Sequence, residues 1–515
     1  MFARLANFLA LVVAIFSASA SLGNQLSVEQ VAAATKELEK LVETESPVTG
    51  IPGIAIAVVF RDQVVFAKGF GVRVVGGTDP VDADTVFQLA SLSKPIGSTV
   101  VAALVGGGLV SWDSRISDLD PAFQMHDAWV TKEITIRDLY AHRSGLPDHA
   151  GDLLEDLGFT REEILRRLRY QEPDASFRSG YAYTNFGLTE GGVAAAKATG
   201  KQWEELSEEK LYVPLGMTST SSRHADFLAR RNRALGHVKI GGQWVQKYQR
   251  DPDTESPAGG VSSSVNDLAK WMRLQLANGN FEGKQVVNEK ALAETHHPQI
   301  LTGFSPLNGL PGFYGLGWNV NYDTEGRLRL SHSGAFELGA ATAVILVPAE
   351  SLGIVVLTNA FPLGVAEGIA STFLDYALYG KPTQDWLSVY KEAFARMRAA
   401  EAAQVGDYST PPKASPAAQN SAYLGTYQND FFGEIAVIEQ DGGLSIVQGP
   451  KKMTFPMKHW NRDTFIYETE GESSVGTAGI IFTIQPDGRA QRVVVENLDI
   501  HGAGSFDRAP TAPPK

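Results

Sequence analysis

Apolar and polar positions divide the chain into stretches of different texture. Val31, Leu38 and Leu41 recur at helical spacing through residues 27–45, with charged side chains between them. Two apolar, β-branched runs follow, Ile51–Phe60 and Gln63–Phe70, joined at Arg61-Asp62, and they read as a hairpin. A helix is expected from near Ser91, then a long region of short helices and loops. Val265 to Asn278 has a well-marked helical pattern, with Ser264 placed to cap it. Strands are expected at Leu328–Ser333, Ala340–Val347 and Leu352–Asn359, and helices at Gly364–Tyr379 and Trp386–Gln404. Strands at both ends of a helical middle predict an α+β domain: an antiparallel sheet built from both ends of the segment, flanking helices, and an inserted helical subdomain.

The texture changes after this. Gly406–Gln419 contains Pro411, Pro412 and Pro416 with little apolar bulk, the composition of a linker. From Ala422 to about Ala509, short alternating runs such as Ile435–Ile438, Leu444–Val447, Thr464–Tyr467, Ile480–Thr483 and Arg492–Val495 are separated by Asp-Gly and Gly-Glu turns. That spacing predicts a small all-β barrel or sandwich. The expected organisation is a signal peptide over 1–20, the α+β domain over 21–405, a linker over 406–420, the β domain over 421–510 and a disordered tail over 511–515.

Composition narrows the classes of function. A 515-residue chain with 43% hydrophobic and 20% charged residues is an ordinary globular protein of two or three domains. Arg4, an apolar run from Leu5 to Phe16 and Ala18-Ser19-Ala20 have the order of a cleavable export signal; a retained N-terminal anchor is the alternative. Losing Arg4 with that segment would move the formal charge from −13 to about −14. An acidic chain without basic clusters argues against nucleic acid and anionic membranes as partners. With no cysteine there is no disulfide, thiolate metal site, cysteine nucleophile or lipid-attachment cysteine. A periplasmic or secreted address is expected, with no stable membrane anchor.

The candidate chemistry centres on Phe87–Pro95. Ser91 and Lys94 share a helix face when three apart, and Pro95 is tolerated only in a first helical turn, which puts Ser91 at the positive end of the helix. A serine becomes a nucleophile when a base takes its proton, and a lysine can do so once burial lowers its pKa. Ser-x-x-Lys recurs at Ser207…Lys210, read as a solvated helix face, and at Ser388…Lys391, in a charged amphipathic helix. Tyr183-x-Asn185 offers a phenolate, stabilised by the lysine cation, as base or proton shuttle to the leaving group, and an amide to hold the lysine and donate to a substrate's acyl side. The same pattern at Tyr427-Gln428-Asn429 reads as a strand aromatic. Ser331-His332-Ser333-Gly334-Ala335 ends a predicted strand. There a glycine lets a substrate lie along the edge, and the Ala335 and Ser91 N–H groups are candidates for an oxyanion hole. A hydrogen-bonded strand-end histidine is the bland reading of His332.

In this order, Ser91-x-x-Lys94, Tyr183-x-Asn185 and His332-Ser333-Gly334 resemble the three motifs of the serine β-lactamase and penicillin-binding-protein superfamily. The likeness is to the class C β-lactamase-like branch of D-aminopeptidases, DD-carboxypeptidases and carboxylesterases. His142-Arg143-Ser144-Gly145-Leu146-Pro147 is similar to that branch's HxSGLP loop, and Pro257-Ala258-Gly259-Gly260 with Asp267-Leu268 to its glycine-rich loop and helix. The resemblance covers roughly residues 27–380. It implies Ser91 as acylated nucleophile, Lys94 as its base, Tyr183 as second base and proton shuttle, and Asn185, Ser333, Gly334 and Ala335 as substrate or oxyanion contacts. His332 stands where β-lactamases usually carry lysine, which favours esterase or peptidase chemistry; it would support Tyr183 or, protonated, grip a substrate carboxylate. Tyr423-Leu424-Gly425-Thr426-Tyr427 is similar to the opening of a lipocalin-like β domain, which in related enzymes restricts the cleft or mediates assembly.

The expected reaction is therefore acyl transfer to Ser91 from a small peptide or amide containing D-amino acids, with short acyl esters as the alternative. A weak β-lactamase and a non-catalytic penicillin-binding-type sensor are further readings. No Gly-x-Ser-x-Gly elbow marks an α/β-hydrolase. His296-His297 and the His142/His149 pair do not form a metallohydrolase motif, so neither metal nor other cofactor is expected. Homo-oligomerisation stays open.

Overall fold

The computed structural model describes residues 25–510. The expected signal segment, residues 1–20, and the expected tail, 511–515, lie outside the described residues. Eight strands form one antiparallel sheet: β1 (Gly53–Phe60), β2 (Gln63–Gly71), β3 (Ile300–Phe304), β4 (Pro311–Tyr314), β5 (Asn319–Tyr322), β6 (Leu328–Phe336), β7 (Ala340–Val347) and β8 (Leu352–Thr358). Their spatial order is β2-β1-β8-β7-β6-β5-β4-β3. The early hairpin thus pairs with the last strand, as a sheet built from both ends of the domain requires.

Strand β1 is buried along its whole length because both faces of the sheet are covered. Ile54, Ile56, Val58 and Phe60 pack with helices α1 (Val28–Thr49) and α5 (Val365–Tyr379), while Ala55, Ala57 and Val59 belong to the core on the other side. That second core includes helices α2 (Ser93–Gly106), α3 (Asn185–Lys197) and α4 (Val265–Leu276). Ser264 caps α4 by accepting the Asp267 N–H, as its position predicts. The sequence reading did not anticipate β3–β5. Gly303, Pro306, Gly309, Pro311 and Gly312 punctuate that stretch like a loop, and pairing with β6 draws it into the sheet.

Helix α6 (Trp386–Ala402) leads to the C-terminal domain, a closed antiparallel barrel of eight strands from Gly425–Asn429 to Ser505–Arg508. Its first and last strands close the ring at Tyr427↔Arg508, where the guanidinium donates to the Tyr427 hydroxyl at 2.6 Å. Tyr423, Tyr427, Phe465 and Phe482 pack against one another within its core. The tyrosine of the second Tyr-x-Asn is thus a buried strand aromatic.

The barrel is joined to the first domain by backbone-directed hydrogen bonds. Arg167 donates to the Asp430 and Phe431 carbonyls at 2.8 Å. The Asp156 carboxylate accepts the Glu472 and Ser473 N–H groups at 3.0 and 2.7 Å. Glu472 in turn accepts the N–H of Glu337, just beyond β6, at 2.6 Å. Gly471 has φ +113°, and a Cβ there would sit 2.7 Å from the Asp156 carboxyl carbon, so both conformation and space call for glycine.

Asp156→Ala strands two amide donors at this junction, at about 1–3 kcal/mol for each that stays dry. The expected result is a lower melting temperature and faster proteolysis within residues 469–476. Unchanged melting and cleavage would show that Asp156 does not hold the barrel loop.

Candidate active site

Ser91 lies in a single 3₁₀ turn, Ala90–Leu92, immediately before α2. The α-helix thus starts at Ser93, two residues later than expected. Pro95 is its third residue, where a missing N–H costs no helical bond. Ala90 is fully buried and held at φ +50°, a conformation costly for a residue with a Cβ. Pairing fixes the turn: Phe87-Gln88 bridges Ser262-Ser263, Leu89 N–H donates to the Val261 carbonyl at 2.9 Å, and Thr342 Oγ1 donates to the Leu89 carbonyl at 2.8 Å.

Lys94 is fully buried one turn on, with Nζ 2.9 Å from Ser91 Oγ, 2.6 Å from Asn185 Oδ1 and 3.2 Å from the Ala258 carbonyl. Nζ also sits 4.5 Å from the centroid of the Tyr183 ring. Burial pushes its pKa down to about 8, although the charges of Glu255 and Asp152 act to raise it. A neutral amine has two hydrogens and one lone pair. With Asn185 Oδ1 and the Ala258 carbonyl taking the hydrogens, the lone pair is left for the Ser91 hydroxyl. This geometry suits a base acting on Ser91.

Tyr183 is a donor in this setting. Burial holds its phenol well above the usual range, with only partial relief from the Ser91 hydroxyl. The expected phenolate base is therefore not the resting form, whereas delivery of a proton to a leaving group suits a phenol. His142, at φ +53° in the HxSGLP-like loop, positions this segment. Its carbonyl accepts Ala182 N–H at 3.0 Å, its Nδ1 accepts Thr184 N–H at 3.1 Å, and its ring lies 4.5 Å from that of Tyr183.

His332 differs from the expectation of a protonated grip. Its Nδ1 donates to the Ser333 carbonyl at 2.6 Å, which leaves Nε2 to accept from the Tyr314 hydroxyl at 2.9 Å. Burial and the nearby Lys94 push its pKa down to about 3. A neutral imidazole attracts no carboxylate. Ser333 also departs from its expected place. Side chains alternate along β6, so His332 and Gly334 face the Ser91 turn, while the Ser333 hydroxyl lies on the side of Glu367 in α5. Gly334 serves close packing: a Cβ there would come within 2.1 Å of the Leu89 carbonyl and 3.0 Å of Leu92 N. Ala335 follows it, paired with Ala341. Strand β5 pairs only with Leu328–Ser331, which leaves the rest of that edge of β6 without a strand partner among the described residues.

The structure thus brings Ser91, Lys94, Tyr183 and Asn185 together and sets His332 and Gly334 against them. It adds Tyr314, Asp152 and His149, for which no short motif gave a signal, and the carbonyl of Ala258 from the Pro257–Gly260 segment. Ser207 of the first decoy pair is buried and donates to the Trp203 carbonyl at 2.8 Å, while Glu208 and Glu209 are exposed as expected and Lys210 pairs with Glu209, so only the serine departs from the solvated face. Ser388 is bonded to Asp385 at the start of α6.

A family model described as Beta-lactamase matches residues 38–378. Residues 409–505 match a domain family of unknown function, DUF3471. Over 482 residues the chain is 26% identical to the unguisins hydrolase ungD of Aspergillus violaceofuscus, covering 85% of this chain and 83% of that protein. The octameric penicillin-binding protein homologue from Pyrococcus abyssi superposes with a TM-score of 0.60 at 21% identity, over 90% of this chain and 98% of the other. A class C β-lactamase from Rhodobacter sphaeroides gives 0.54 at 22% identity, over 66% and 98%. These two likenesses establish the fold.

Two outcomes are expected of the site. Modification of Ser91 by a fluorophosphonate should accelerate as pH rises through about 8, as Lys94 loses its proton, and level off above; a rate flat from pH 6 to 10 would remove Lys94 as the base. Gly334→Ala should push the Ser91 turn away and slow that modification about 100-fold. A variant reacting at the wild-type rate would show that the turn tolerates the added methyl.

Proposed function

The chain belongs to the β-lactamase family, and on that premise we propose that it hydrolyses short peptides or amides containing D-amino acids through an acyl-enzyme on Ser91. The observation that carries this reading is the Lys94 amine, buried 2.9 Å from Ser91 Oγ with its hydrogens directed to Asn185 and Ala258. Lys94 takes the Ser91 proton as Oγ attacks the carbonyl. The oxyanion rests on the N–H groups of Ser91 and Ala335, and Tyr183 protonates the departing amine and takes a proton back from the adjacent Lys94 ammonium, which returns both groups to their neutral forms. Water then adds to the acyl-enzyme, its proton taken by Lys94, and Ser91 leaves with that proton. His332 acts as a neutral partner of Tyr314.

A neutral His332 favours substrates that need no carboxylate grip, which speaks against a carboxypeptidase and keeps short acyl esters as the second reading. The barrel loop carrying Glu472 docks beside the end of β6, which favours short substrates over long chains. Similarity to a protein named as a hydrolase of unguisins is in keeping with hydrolysis. A periplasmic or secreted location fits this substrate class.

The test compares kcat/KM for D-alanyl and D-phenylalanyl p-nitroanilides with that for p-nitrophenyl butyrate, with Ser91→Ala as control. Preference for the amides, lost in the variant, is the expected result. Turnover of the ester alone would make the protein an esterase, and full activity in Ser91→Ala would end the mechanism.

A further inference from the structure

Behind Asn185 a second tier of side chains continues outward from Lys94. Asn185 is the first residue of α3, and while its Oδ1 accepts from Lys94, its Nδ2 donates to Asp152 Oδ2 at 2.8 Å. The same Asp152 oxygen lies 2.8 Å from His149 Nδ1. An amide can be flipped by exchanging its oxygen and nitrogen, and the flipped Asn185 would present N–H to Lys94 in place of an acceptor. Asp152, able only to accept when ionised, selects the orientation that leaves Oδ1 on the lysine. His149 is held over this point by its backbone: it adopts φ +58° and its N–H donates to the Tyr183 carbonyl at 2.7 Å. Its ring stands 5.6 Å from that of Tyr183 and is about half exposed, 55% of the side chain being accessible. A ring spent only on packing would not need a left-handed histidine hydrogen-bonded to a carboxylate.

We propose that Asp152 and His149 form a positioning dyad that locks the Asn185 amide and balances the charge felt by the Lys94 amine. This rests on the reading of Ser91 and Lys94 given above. Partial burial opposes charge on the His149 ring, but the Asp152 hydrogen bond and charge outweigh it and push its pKa up to about 9, so the ring is cationic where Lys94 titrates. Asp152 acts to raise the Lys94 pKa; cationic His149 and Lys94 repel each other, which acts to lower it. The other groups facing the pair are Asp148, beside His149 in the same loop; Glu155 and the Tyr183 phenol, which feel the Asp152 charge; Glu401 of α6, which feels the His149 charge; Glu255, which acts to raise Lys94; and the neutral rings of His142 and His332.

The two charges act on Lys94 with opposite signs. Asp152→Asn keeps an acceptor for Asn185 but removes both a charge that raises Lys94 and the partner that keeps His149 cationic, so the rising limb of its pH profile should stay closer to the wild-type position than that of His149→Asn. His149→Asn suits the left-handed backbone and removes a charge that lowers Lys94, so the limb should move to higher pH. The His149→Asn shift is expected to be about one pH unit. His149→Lys, which restores a cation, should return the limb toward the wild-type position.

The experiment measures fluorophosphonate labelling of Ser91 against pH in the full-length wild type and these three variants, with the modified residue located by mass spectrometry. An upward shift in His149→Asn, a smaller displacement in Asp152→Asn and recovery in His149→Lys are the expected result. Labelling of Ser91 with an unmoved limb in His149→Asn, or with no recovery in His149→Lys, would overturn the dyad and leave the Ser91 reading standing. If Asp152→Asn does not fold, an unmoved limb in His149→Asn alone overturns it. Absence of Ser91 labelling in the wild type would overturn the earlier reading and the dyad with it.

Discussion

Burying an amine is costly unless its hydrogens meet acceptors, and around Lys94 that requirement organises three separate stretches of chain. The turn Ala90–Leu92 presents Ser91, the first residue of α3 presents the Asn185 oxygen, and the loop before Ser262 presents the Ala258 carbonyl. Tyr183 closes the remaining side with its ring. Low dielectric makes the neutral amine accessible, and the acceptors then determine which way its lone pair points. Base strength and direction thus have one origin.

Backbone approach is the second constraint. Strand β6 reaches the Ser91 turn because residue 334 has no side chain, and the turn stays in place because pairing at Phe87–Leu89 holds Ala90 in a costly left-handed conformation under full burial. The pleat then assigns His332 to the site and Ser333 to the α5 side. Contacts from the barrel end on this same region: Asp156 grips the loop that carries Glu472, and Glu472 accepts the two N–H groups just beyond β6. The second domain therefore borders the strand edge that faces Ser91.

Much of the architecture was legible in local pattern. The hairpin at Arg61-Asp62, the Ser264 cap, the strands after Leu328 and the change of texture after Gly406 each rest on periodicity or turn chemistry within a few residues. Strands β3–β5 were not legible, because their glycines and prolines look like a loop until β6 supplies a partner. Ser207 was misread as solvated for a related reason: local charge at Glu208 and Glu209 says nothing of the neighbour that covers the adjacent hydroxyl.

In the site, the sequence by itself determined which chemical groups were available: a serine and a lysine on one helix face, a phenol and an amide two apart, a histidine before a glycine at a strand end. These follow from spacing, since helix and strand geometry carry neighbours along the chain to fixed relative positions. Tertiary structure alone decided their protonation and direction. Burial lowers Lys94 and His332 and raises Tyr183, and Tyr314 and Asp152, distant in the chain, fix which atoms accept. Desolvation and hydrogen-bond partners depend on what packs above a residue, and no local pattern records that.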